Sequence, residues 1–138
     1  MKYPDNKSTW DFKKRHRKLR QYISSLVFLK IELRFMKQLL NSYVFEPKTP
    51  LCFEQVQQYK RKLSSIENTL LKLNKHIMKY GNKMQGMLEC DTLECGNFYQ
   101  KEFHDIKQEF KQLNEDFKNL KKLVFEYAGE ILKNQKKP

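Results

Sequence analysis

Helix-breaking residues are scarce: only four Gly and four Pro occur in 138 residues, and Pro4 and Pro138 lie in the tails. Such sparse interruption argues against many short strands joined by turns and favours a few long helices. Charge-free runs are short as well. The longest in the first apolar region extends from Gln21 to Leu29, well below the roughly 20 residues of a membrane-spanning helix. The opening MKYPDNKSTWDFKKRHRK lacks the apolar stretch of a secretory leader, so a cytoplasmic chain is expected. Cysteine is limited to Cys52, Cys90 and Cys95, and in that compartment these are expected to be reduced thiols.

Catalytic motifs are missing too. The chain has no glycine-rich phosphate cradle, no nucleophile elbow and no Glu-x-x-His pair of the di-iron bundles. Its periodic positions are almost wholly apolar, which leaves no inward carboxylate pair for acid–base work. The expectation is a protein that is not an enzyme and needs no cofactor.

What the chain does have is apolar content of 39% and aromatic content of 13%, enough for a folded core. These residues fall into three series spaced by threes and fours. The first is Leu19, Tyr22, Leu26, Leu29, Leu33, Met36, Leu40 and Tyr43. The second is Val56, Tyr59, Leu63, Ile66, Leu70, Leu73, Ile77 and Tyr80. The third is Phe103, Ile106, Phe110, Leu113, Phe117, Leu120, Val124, Tyr127 and Ile131. Each is the buried seam of a helix packed in coiled-coil fashion.

Punctuation sets the expected boundaries. Ser8 or Thr9 caps the first helix, Thr49 with Pro50 starts the second, Gly81 and Asn82 end it, and Asn97 caps the third. The fold class is therefore all-α: an up-down-up antiparallel bundle in one domain, residues 1–138. Its helices are expected at about 9–45, 50–80 and 97–134, with an acidic loop over about 82–96.

The first helix carries more apolar surface than its seam uses. Val27, Phe28, Ile31 and Phe35 lie off the seam, and Phe28, Ile31 and Phe35 share an outward stripe. Either the other two helices wrap this helix on both sides, or the stripe is an interface. The interface reading makes the chain a helical interaction or scaffold protein, self-associating as a homodimer about a two-fold axis.

Two other clusters carry alternatives. Net charge is +12, divided as +8 over residues 1–48, +5 over 49–83 and −1 over 84–138. Lys13, Lys14, Arg15, Arg17, Lys18 and Arg20 concentrate it at the start of the first helix, a candidate site for nucleic acid or another anion. Antiparallel packing would bring the acidic loop carrying Glu89, Asp91 and Glu94 to the same end. The repeat LECDTLEC places Cys90 and Cys95 in that loop, with His76 and His104 within about two helical turns. Together the four offer the thiolate and imidazole donors that suit Zn or Cu. The spacing C-x4-C is looser than the C-x2-C of zinc knuckles and reads equally as an acidic turn. Cys52 falls on the second seam, far from the other two, and is expected to be a small buried apolar side chain.

Overall fold

The computed structural model describes residues 5–42, 45, 46 and 48–135, with side chains from Phe12 to Lys133 within those stretches. Among them are three α-helices and no strand: α1 (Asp5–Leu40), α2 (Pro50–Leu88) and α3 (Leu93–Gln135). The chain divides into two compact units, and all three helices contribute to each. One comprises Met1–Val27 with Leu71–Gln112, the other Phe28–Leu70 with Leu113–Pro138.

In the first unit, His76, Tyr80 and Lys83 of α2 meet Glu109, Phe103 and Glu102 of α3 in that order, so these segments run antiparallel. Arg15 of α1 lies over the Phe103 ring and the Tyr22 ring meets that of Phe110 at a tilt, so α1 and α3 run in the same direction. The second unit repeats the sense, with Glu32 against Lys121 and Phe45 against Tyr127. The up-down-up order follows from short connections between long helices.

The seams bury as their spacing requires. Leu19, Tyr22, Leu26, Leu29, Leu33, Met36 and Leu40 are buried, and so is every member of the second series. In the third, Ile106, Leu113, Phe117, Leu120 and Val124 are buried, while Phe103, Phe110, Tyr127 and Ile131 are half-buried. Tyr43 lies outside the described residues.

The boundaries differ from expectation at four points, one of them the end of α1, which stops at Leu40 instead of about 45. α1 already includes Asp5, so Ser8 and Thr9 sit inside it instead of capping it. α2 continues past Gly81 and Asn82 to Leu88, and no described glycine has a positive φ. The reason is packing: Met84 and Met87 extend the rhythm of Tyr80 by four and three and are both buried, while Gly81 and Asn82 face solvent. α3 starts at Leu93, four residues ahead of Asn97, because Thr92 is its cap: the Cys95 N–H donates to Thr92 Oγ1 at 3.1 Å. The expected loop over 82–96 therefore shrinks to Glu89–Thr92. The start of α2 is as read, with the Cys52 N–H donating to Thr49 Oγ1 at 3.1 Å and Pro50 first in the helix.

Candidate functional site

Leu33 faces the core at 1% exposure. Ile31 and Phe35 each lie two residues from it, about 200° around a helix of 3.6 residues per turn, so both emerge on the opposite face. Phe28 precedes Ile31 by three and joins them. Their exposures are 63% for Phe28, 59% for Ile31 and 57% for Phe35. The second unit thus presents an outward apolar stripe on α1, and the other two helices do not wrap it. Lys30 and Arg34 are exposed along the same stretch. Val27, the last residue of the first unit's α1 segment, is exposed to 58%. Being apolar on two opposite faces, α1 is much less amphipathic than α2 or α3.

Polar contacts hold the inner side of this part of α1. Glu32 accepts from Lys121 Nζ of α3 at 2.9 Å, and Lys37 Nζ pairs with Glu67 of α2 at 2.7 Å.

The basic cluster resolves into two kinds of residue. Lys13, Lys14, Arg17, Lys18 and Arg20 are exposed. Arg15 is half-buried: its Nη1 donates to Met87 Sδ at 3.1 Å, and its guanidinium carbon lies 5.8 Å from the Phe103 ring centre. It is a packing residue that ties α1 to both other helices, a role invisible in a run of like charges. Beside the exposed cations, Phe12 and His16 stack with ring centres 5.9 Å apart, and an open depression of about 520 Å³ lies along Lys13, Arg17 and Arg20.

The proposed metal donors do not form a site. Cys90 and Cys95 are joined in a disulfide, which removes both thiolates. The expectation of reduced thiols is not met for this pair, whereas Cys52 is a free cysteine. His76 turns to α3, with Nδ1 2.7 Å from Glu109 Oε2 and Nε2 3.7 Å from Glu102 Oε1. His104 is exposed. Among the described residues no group of three or more His, Cys, Asp or Glu side chains is arranged to hold a metal ion. Glu102 also pairs with Lys83 at 3.5 Å, while its Oε2 is buried without a hydrogen-bond partner. The histidine's direction was not legible because antiparallel packing, not spacing along the chain, selects its carboxylate neighbours.

Cys52 is half-buried in the first turn of α2, not the fully buried filler that its seam position suggests. Hydrogen bonds with Thr49 and then Tyr127 hold its thiol below the ordinary range. Tyr127 is pushed up to about 12, first by desolvation and then by its bond to Cys52 and nearby negative groups. A depression of about 360 Å³ opens beside the pair.

No protein-family model matches the chain, and no curated protein or solved structure matches it. No helix of the described residues is long and apolar enough to cross a membrane.

Proposed function

We propose that this is a non-enzymatic helical interaction protein that self-associates through the outer face of α1. The observation that carries the reading is the stripe of Phe28, Ile31 and Phe35, each more than half exposed on a helix whose other face is already buried. Water-exposed phenylalanines in one row are a standing free-energy cost that a second apolar surface removes. A second copy supplies that surface in a homodimer, because one stripe laid across its own image by a two-fold axis is self-complementary. Lys30 and Arg34 form the rim and remain hydrated. Val27 belongs to the same set of candidate interface residues.

Sedimentation tests this directly. Wild-type protein sediments as a dimer in the micromolar range, and Phe28→Glu with Phe35→Glu gives a soluble monomer with unchanged helicity. Wild-type protein that stays monomeric at high concentration ends the reading.

Nucleic-acid binding is the second reading, favoured by five exposed cations next to the Phe12–His16 stack. It predicts that Arg17→Ala with Lys18→Ala removes salt-sensitive retention of single-stranded nucleic acid. The cytoplasm is the location proposed. Disulfides found there are usually transient, catalytic or redox-sensing, and the Cys90–Cys95 bond then belongs to that reversible class.

A further inference from the structure

We infer that Cys90 and Cys95 are a redox-active pair that exchanges with thiols, Cys95 being the sulfur that incoming thiols reach. The two lie five residues apart with Cα atoms separated by 5.5 Å, on either side of the turn between α2 and α3. The inference stands apart from self-association, since neither cysteine belongs to the stripe.

Three observations carry it. The first is asymmetry. Cys90 is buried at 7% exposure, whereas Cys95 is half-buried. An attacking thiolate must approach in line with the sulfur–sulfur bond, so the accessible sulfur is attacked and the buried one leaves.

The second is that both backbones are held independently of the bond. The Cys90 N–H donates to the Met87 carbonyl at 3.3 Å, continuing the end of α2. The Cys95 N–H donates to Thr92 Oγ1, and the Gly96 N–H to the Thr92 carbonyl at 3.3 Å. Opening the bond leaves these contacts intact, so the thiols stay close enough to close again.

The third is that the link closes only a short stretch, its cysteines being five residues apart in sequence. The first unit has a buried apolar core of its own, including Met84, Met87, Ile77, Tyr80 and Ile106. A bridge across so short a stretch constrains the unfolded chain far less than one closing a long loop. A bond that stabilises little and closes readily is suited to cycling.

Cys95 is also the third residue of α3, where the unshared N–H groups of the first turn favour a thiolate. That matters in the second step.

The chemistry is a two-electron exchange. A thiolate of an external dithiol attacks Cys95 Sγ and forms a mixed disulfide, and Cys90 Sγ leaves as a thiolate that takes a proton from water. The second thiolate of the same reagent then attacks its own bound sulfur and expels Cys95 Sγ. The reagent ends as a cyclic disulfide and the protein as a dithiol. With a monothiol, a second molecule performs the second step.

Peptide mapping of the wild-type protein tests the order, and Cys52 falls on a separate peptide. Protein purified in air is treated briefly with limiting glutathione, quenched in acid and alkylated with N-ethylmaleimide. Expected are glutathione on Cys95 with maleimide on Cys90, at least about tenfold over the reverse. Circular dichroism of the dithiothreitol-reduced protein shows unchanged helicity, and the thermal midpoint falls by less than about 10 °C. Maleimide labelling of both cysteines before any reductant, glutathione equally or mainly on Cys90, or loss of helicity on reduction would each overturn the inference. The last would make the bond a structural staple.

Discussion

Tyr127 near the end of α3 hydrogen-bonds the thiol of Cys52 at the start of α2, and each shifts the other's proton affinity in the opposite direction. The bond lowers the thiol and raises the phenol, because the phenol stays neutral as donor while the thiolate gains an acceptor's role. The Tyr59 ring meets Tyr127 edge-on at 5.6 Å and holds its ring in place.

Alkylation of Cys52 by iodoacetamide should therefore begin at lower pH than for an ordinary thiol. Thr49→Ala moves the profile to higher pH, and Tyr127→Phe moves it in the same direction by less, since Thr49 is the larger cause. Superimposable profiles for the three proteins would show that neither hydrogen bond governs the thiol.

Alkaline stability follows from the same residue. The folded-state value of Tyr127, about 12, exceeds the ordinary 10.0, so the folded chain holds this proton after the unfolded chain has lost it. Its contribution is complete below pH 10 and is lost as pH rises from there towards 12. Urea denaturation across that window should show Tyr127→Phe losing less stability than wild type.

Leu33 and Ile31 are neighbours on opposite faces of α1 and should respond differently to the same truncation. Leu33→Ala opens a cavity in the core and costs about 2–5 kcal/mol. Ile31→Ala removes exposed surface and changes monomer stability by less than about 0.5 kcal/mol. Denaturant unfolding at low protein concentration measures both, and equal losses would place the stripe in the core.

Gly81 lies within α2, and a Cβ there meets nothing within 4 Å. Gly81→Ala should raise stability by about 0.5–1 kcal/mol, the helix-interior penalty of glycine. A left-handed helix end at this position would give a loss instead, so the sign of the thermal shift decides whether α2 is continuous.

Thr92 and Asn97, the observed and the expected cap of α3, make a further pair of outcomes. Thr92→Ala should cost about 0.5–2 kcal/mol through loss of the bond to the Cys95 N–H, while Asn97→Ala inside α3 should cost nothing. Thermal unfolding of the two variants, compared with wild type, checks the assignment.

Legibility tracks the range of the interaction. The seams from Leu19 to Leu40 and from Val56 to Tyr80 are readable because burial repeats with the helix itself. So is the Thr49–Pro50 start, which is local chemistry. Met84 and Met87 continue that rhythm and could have been read the same way, but Gly81 and Asn82 drew the boundary too early. A glycine ends a helix only where the following residues have nothing to bury, and here two methionines do. The outward stripe was visible as apolar residues off the seam, whereas its exposure depended on where the other helices lie.

Periodicity and the scarcity of breakers were enough to determine three helices and their inward faces, because these depend on neighbours three and four residues away, and the short connections set their alternating direction. Tertiary packing alone decided that Phe28, Ile31 and Phe35 remain uncovered, that Arg15 is spent on Met87 and Phe103, that His76 faces carboxylates, and that Cys90 and Cys95 meet. Those outcomes depend on the relative rotation and stagger of separate helices, which spacing along one chain does not encode.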